Sequence, residues 1–206
     1  MKSTDSIPYY EYHAKRLMKA SGDWPSLKAE LAPFLEMLNP GGRVLDLGCG
    51  AGQDLRIIHE AKLRVVGIEG ARTRADQART LNPEVEVQEK NFLFLTLKEA
   101  EFDGVWAKHS LHHFSPEATQ RIVATLFRGM KTGGALGLVV YEGAAPFEDR
   151  EGDLSGPSRY LHPWSEKGIS SLIEQTGFAI KKVGRQIANP SRGNPLPGML
   201  ILARKI

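Results

Sequence analysis

The stretch Val44-Leu45-Asp46-Leu47-Gly48-Cys49-Gly50-Ala51-Gly52-Gln53 constrains this chain more than any other part of it. A short apolar run carrying one acid passes into three glycines at alternate positions, and a helix-forming run follows. Such a bend uses backbone conformations that glycine enters without penalty, and it lets a ligand approach the main chain closely. The helix that begins there presents unpaired N–H groups to whatever lies in the bend. In dinucleotide enzymes this turn cradles a pyrophosphate, with G-x-G-x-x-G spacing. Here the spacing is G-x-G-x-G, and Asp46 would repel phosphate. An acid at that place suits a ligand bearing a cation or an amino group instead.

The rest of the chain alternates in the same manner. Apolar runs at Val44–Leu47, Val65–Glu69, Val85–Val87, Val105–Ala107 and Leu136–Val140 read as strands. Helices are expected at Gln53–Ala61, Arg72–Leu81 and Pro116–Met130, and the turn Lys131-Thr132-Gly133-Gly134 precedes the fifth strand. Strands separated by helices imply a parallel sheet, and their near-continuous apolar character implies burial on both faces. A helix from Ser165 to Thr176 precedes two closing strands, Phe178–Ile187 and Met199–Ala203, with the Pro- and Gly-rich loop Asn189–Gly198 between them. No helix fits between those two, so they form an antiparallel hairpin. Ahead of the sheet, Asp23 and Pro25 open a helix with apolar residues at Leu27, Leu31, Phe34, Leu35 and Leu38.

Bulk properties narrow the setting. A length of 206 residues suits one domain, with residues 1–40 as a helical cap and 141–164 as a lid. Lys and Arg total 27 against 24 Asp and Glu, a charge of +3 that by itself points neither to nucleic acid nor to an anionic membrane. Cys49 is the single cysteine, which excludes an intrachain disulfide and a cysteine-built zinc cage. The polar start behind Lys2 predicts no secretory leader, and no run approaches the roughly 18 apolar residues of a membrane span. A reducing cytoplasm is the expected compartment.

Two more motifs accompany the glycine bend. Glu69 closes the second strand, where a carboxylate can accept from both hydroxyls of a ribose. Lys90-Asn91-Phe92 follows the third strand and offers an amide for a purine edge and an aromatic ring for its face. The order VLDLGCGAGQ, VVGIEGA, EKNF, FDGVWAKHSLHHF and MKTGG resembles the class I S-adenosylmethionine (AdoMet)-dependent methyltransferases. The resemblance implies a Rossmann-like three-layer α/β sandwich with a seven-stranded, mostly parallel sheet and a C-terminal antiparallel hairpin. It implies that Gly48, Gly50 and Gly52 line the methionine and ribose, that Glu69 holds the ribose, that Asn91 faces adenine, and that Ala107 and Lys108 flank the methionine end. Asp46, Cys49, Gly70, Phe92 and His113 complete the expected cofactor site. The family more often has Asp at the adenine position, and the Asn91 carbonyl can still accept from the adenine amino group.

The expected chemistry is in-line transfer of the AdoMet methyl. His109 and His112 follow the fourth strand and are the candidate catalytic residues; His113 reads as packing or cofactor-adjacent. The i, i+3, i+4 spacing of the three would also suit a metal if they lay on a helix, but no metal is expected. Tyr12 and Arg16 from the amino-terminal lead, and Glu142, Arg159, Tyr160 and His162 from the segment after the fifth strand, are the candidate substrate contacts. Ala107-Lys108-His109-Ser110 stands where amino-group methylases of nucleobases or glutamine carry an Asn/Asp/Ser-Pro-Pro-Tyr/Phe motif. A small-molecule acceptor is therefore expected. The alternatives are an RNA methyltransferase, a non-catalytic AdoMet-binding regulator and, less in keeping with the glycine spacing, a nicotinamide dehydrogenase.

Overall fold

The computed structural model describes residues 6–19, 24–150, 156–186 and 196–206. Among these residues, the helices are α1 (Ile7–Lys19), α2 (Trp24–Leu35), α3 (Gln53–Glu60), α4 (Arg72–Leu81), α5 (Pro116–Gly129) and α6 (Glu166–Thr176). The strands are β1 (Arg43–Leu47), β2 (Arg64–Glu69), β3 (Glu86–Glu89), β4 (Phe102–Lys108), β5 (Met130–Tyr141), β6 (Phe147–Asp149), β7 (Arg159–Leu161), β8 (Phe178–Gln186) and β9 (Gly198–Lys205). Seven strands form one sheet in the order β3-β2-β1-β4-β5-β9-β8, and β6 with β7 forms a separate hairpin. The first five strands of that sheet run parallel, and β9 pairs antiparallel with β5 and β8.

Alternation along each strand supplies two faces at once. Leu45, Leu47, Val105, Ala107, Leu136 and Leu138 pack with Ile122, Leu126, Ile169 and Ile173 under α5 and α6. Val44, Trp106, Ala135 and Val139 pack with Leu31, Phe34, Leu55 and Ile58 under α2 and α3. Trp106 is the largest fully buried side chain, and Gly137 on the neighbouring strand makes room for it. Its indole Nε1 donates to Asp54 Oδ2 at 2.8 Å, so the one polar atom of the ring is satisfied inside the core.

The strand order reverses between β1 and β4, because β2 and β3 lie on one side of β1 while β4 and β5 lie on the other. At such a switch point the loops leaving the two strands diverge and open a crevice at their carboxyl ends. The glycine bend after β1 and the segment His109–His113 after β4 flank that crevice.

Two local expectations change. The turn before the fifth strand is absorbed into β5, whose pairing with β4 is irregular between Phe102 and Gly104. The segment expected to form a lid contains the β6–β7 hairpin, whose three-residue strands are too short to show a period. The polar lead is a helix, α1, that packs on α4. Its Glu11 carboxylate accepts from Thr73 N at 3.1–3.2 Å and Gln77 donates to Ala14 O at 3.3 Å. Ala71, the N-cap residue of α4, has no side chain that can cap, so Glu11 supplies the missing acceptor from another element. Asp23, the expected start of α2, and parts of the expected lid and final loop lie outside the described residues.

Candidate cofactor and acceptor site

Gly48, Gly50 and Gly52 all adopt left-handed backbone, with φ of 81°, 57° and 87°. Substitution would also clash with the protein itself. A Cβ on Gly48 would stand 2.5 Å from the Ser110 Cβ, and one on Gly50 would stand 2.6 Å from an Arg74 guanidinium nitrogen. One on Gly52 would run into the Asn82 amide and the Ala78 backbone. The bend is therefore fixed by close approach of α4 and of the segment after β4, as well as by its turn geometry. Cys49 is buried in the bend; its thiol sits beside Gly67, and burial raises its pKa well above the usual range.

Glu69, at the end of β2, is held by main chain: Oε2 accepts from Gly50 N at 2.8 Å and Oε1 from Ala71 N at 2.9 Å. Each oxygen retains lone pairs for further donors, the pattern a ribose diol requires. Burial raises its pKa, opposed by the backbone N–H groups and by Arg74. Gly70 beside it accepts the Ile7 side chain of α1 in close contact. Asp46 is almost completely buried, and its Oδ2 has no hydrogen-bond partner. Burial first, and the neighbouring Asp54 second, raise its pKa well above the usual carboxylate range, against the pull of Lys108. Asn91 spends one Oδ1 lone pair on Leu93 N at 2.9 Å, capping a short 3₁₀ turn, Phe92–Phe94. The Phe92 ring tip reaches the vicinity of Gly48.

The end of β4 divides its side chains between two sides. Ala107 is fully buried. The Lys108 ammonium turns to the α2–α3 side, meeting Asp54 Oδ2 at 2.8 Å and Glu30 at 3.4 Å, so its neighbours hold its charge and only its backbone faces the crevice. His109 is one of few non-glycine residues with positive φ, 54°, and its N–H donates to Val139 O at 2.9 Å. A bulky residue held in this conformation after a sheet strand is a feature of functional positions. Its Nδ1 is buried without a partner, and burial lowers its pKa to about 3. His112 is fully buried, stacked on Tyr141 at 4.1 Å, with neither ring nitrogen bonded. Ser110 Oγ, next to Gly48, is likewise unpaired. An unmet buried polar group costs about 1–3 kcal/mol. Asp46, Arg74, His109, Ser110 and His112 carry such atoms, in or beside the two segments that flank the crevice.

His113 differs from its neighbours. Its Nδ1 lies 3.0 Å from Tyr160 O, and its Nε2 lies 2.7 Å from the Tyr10 hydroxyl. A carbonyl only accepts, so the proton is on Nδ1 and the neutral ring accepts at Nε2 from Tyr10. Burial holds its pKa near 4, consistent with that neutral form. Both nitrogens thus bind protein, and His113 anchors α1 and β7 to the end of β4 instead of presenting a polar atom to a cofactor.

The expected substrate residues separate in the same way. Tyr12 is 59% exposed on the outer side of α1, and Arg16 is exposed as well; their place on the helix turns them from the crevice. Tyr9 and Tyr10 face inward in their stead. Arg159 is buried, donates to Asp149 Oδ2 at 2.7 and 2.9 Å, and lies 4.9 Å over the Tyr9 ring. It pairs directly across the β6–β7 hairpin and so ties the two strands together. Glu142 is bound to Arg185 at 2.9 Å on the surface. Tyr160 and His162 stay partly exposed; His162 lies beside Trp164 and its N–H donates to His112 O at 2.7 Å, which places it next to the segment after β4. Among the described residues no cluster of His, Cys, Asp and Glu could hold a metal ion, and no helix is long and apolar enough to cross a membrane.

Arg74 and Ser110 carry unpaired buried atoms beside the glycine bend and were not singled out by the sequence. Arg74 reads as part of a solvated face with Arg72 and Arg79, and no local signal marks it. Ser110 sits inside the quoted motif beside His109, and only its approach to Gly48 gives it meaning.

The strand order and the glycine bend at its switch point are those of a Rossmann-like α/β domain. A family profile described as a methyltransferase domain matches residues 44–134. A methyltransferase of Synechocystis sp. is 27% identical over 160 residues, covering 69% of each chain. A human protein named "Probable tRNA methyltransferase 9B" is 27% identical over 84% of this chain, which spans only 35% of that longer protein. The structure also superimposes on a Burkholderia thailandensis 1,6-didemethyltoxoflavin-N1-methyltransferase with TM-score 0.72 at 20% identity, over 96% of this chain and 84% of that one. Over residues 44–134 the chain resembles the methyltransferase-domain family, and the solved methyltransferase structure shares its fold.

Proposed function

We propose that the chain methylates a small-molecule acceptor, in a cytoplasmic setting, with the cofactor held at the β1–β4 crevice and the acceptor under α1 and the lid at residues 141–164. The observation that carries this reading is the group of unpaired buried polar atoms in and beside the glycine bend and in the segment after β4. Its donor set fits AdoMet. Asp46 offers an unpaired oxygen to a cationic or amino group, Glu69 retains lone pairs for a diol, and Asn91 with Phe92 serves the purine. The bound cofactor supplies a methyl group already activated on a sulfonium. The residues of this chain need only hold the nucleophile in line with it, a positioning effect worth up to about 7–11 kcal/mol in favourable cases.

His109 is the principal catalytic residue in this proposal. A ring with a pKa near 3 is unprotonated at neutral pH and accepts a hydrogen bond through Nδ1. So low a value makes it a weak proton sink, so it orients the acceptor's O–H or N–H and receives the proton late. His112, neutral and stacked on Tyr141, shapes the same end. Tyr160 and His162 contact the acceptor at the rim. A second reading, an RNA acceptor, is favoured by the similarity to tRNA methyltransferase 9B.

The experiment is binding of labelled AdoMet to the wild type and to Glu69→Ala, followed by assay of S-adenosylhomocysteine formation with metabolite fractions and with tRNA. Far weaker binding by Glu69→Ala and turnover with a metabolite fraction are expected. Equal affinity in the two proteins removes the cofactor assignment, and turnover with tRNA alone replaces the acceptor.

A further inference from the structure

Arg74 is a charged side chain that the roles above leave unused. It projects from the first turn of α4, where the helix is already capped by Glu11 of α1. A guanidinium nitrogen lies against Gly50 Cα, so close that a Cβ there would stand 2.6 Å away. The other terminal nitrogen, Nη1, is buried with no acceptor. Guanidinium carries five donors and no acceptor, and its charge is permanent in proteins, so burying one of its terminal groups unpaired is costly unless a ligand completes it. Gly50 also donates its N–H to Glu69. The guanidinium therefore stands beside the main chain that holds the Glu69 carboxylate.

We propose that Arg74 is a cofactor-binding residue of this chain, its guanidinium forming one wall of the nucleoside seat between Gly50 and Glu69 and donating from Nη1 to the bound nucleoside. This inference rests on the AdoMet reading above. Planar guanidinium also stacks on aromatic faces, so the same wall suits a purine. A second effect follows from charge. Glu69 must be ionised to accept from two hydroxyls, and its burial works against that; Arg74 favours the anion. Tyr10 of α1, Asp46 at the end of β1 and Cys49 in the bend also face this carboxylate. Arg74 is the cation among them.

Calorimetry with S-adenosylhomocysteine and with 5′-methylthioadenosine, which lacks the amino-acid end, tests the proposal on wild type, Arg74→Met and Arg74→Lys from pH 5 to 9. Arg74→Met is expected to weaken both ligands by a similar factor, about 10- to 100-fold for one charged hydrogen bond. Arg74→Lys is expected to recover part of the loss. Removing the cation lets the Glu69 pKa rise, so the affinity of Arg74→Met should begin to fall at a higher pH than that of wild type. Circular dichroism checks that each variant is folded, and Arg74→Lys carries the test if Arg74→Met is not. Wild-type affinity in a folded variant overturns the proposal. So does a loss confined to S-adenosylhomocysteine, which would move Arg74 to the amino-acid end. A wild type that binds neither ligand overturns the AdoMet reading itself, and this inference with it.

Discussion

His109 concentrates two demands at one position, a left-handed backbone and an imidazole. The two can be separated, because Asn tolerates left-handed φ through local hydrogen bonding while offering a weaker acceptor. His109→Asn is expected to fold with unchanged affinity for S-adenosylhomocysteine and to lose about 100-fold in kcat, at the low end for proton-handling groups. A matching loss of cofactor affinity would show that the ring serves the cofactor instead. The histidines also set an acid limit on stability. The pKa values of His109 and His113 fall from 6.5 unfolded to about 3 and about 4 in the fold. Below 6.5 the unfolded chain binds protons that the native chain refuses, so stability is full above that pH and declines as pH falls toward 4. The slope reaches up to about 1.4 kcal/mol per pH unit for each histidine. Denaturant titrations between pH 7.5 and 4.5 should show that decline, and His113→Gln should flatten part of it.

At the scale of elements, caps and crossings decide what holds the site. Glu11→Ala removes the foreign cap of α4 and should cost about 0.5–2 kcal/mol, read as a lower midpoint in urea. Gly137→Ala drives a methyl to 2.5 Å from the Trp106 ring, and overpacking of this kind costs about 1–3 kcal/mol. Thermal melts check it; an unshifted midpoint would mean that the indole can move. Most elements were legible beforehand. The apolar runs of β1, β2, β4 and β5 are near-continuous, Ser115 and Ser165 cap α5 and α6, and Gly177 ends α6 in left-handed backbone. The hairpin β6–β7 was not legible, because Phe147–Asp149 and Arg159–Leu161 owe their pairing to the ion pair Asp149–Arg159 and to contacts with α1. The inward register of α1 was missed for a related reason. Tyr9, Tyr10 and Tyr12 are chemically alike, and the distant partners Arg159 and His113 decide which of them turns in. Lys108 stands at the end of β4, and its charge is claimed by Asp54, a residue of another element.

For the whole molecule, the strand order matters more than any single contact. The reversal between β1 and β4 brings Asp46, Glu69 and His109 to one end of the sheet although they are far apart in the chain. Composition also bears on the acceptor. A net charge of +3 predicts shallow salt dependence if the acceptor is small. Raising salt from 50 to 200 mM should leave KM within about twofold, whereas displacement of 6–10 phosphate contacts would change it by about 10³–10⁵. Initial rates at the two salt concentrations decide between the readings.

The first helix supplies the acceptor that completes the start of α4, the same turn from which Arg74 reaches toward Gly50. Reciprocity then applies: whatever docking of that helix contributes to ligand affinity, a filled crevice must contribute equally to docking. Loaded protein should consequently keep its amino-terminal end longer under limited proteolysis than empty protein does.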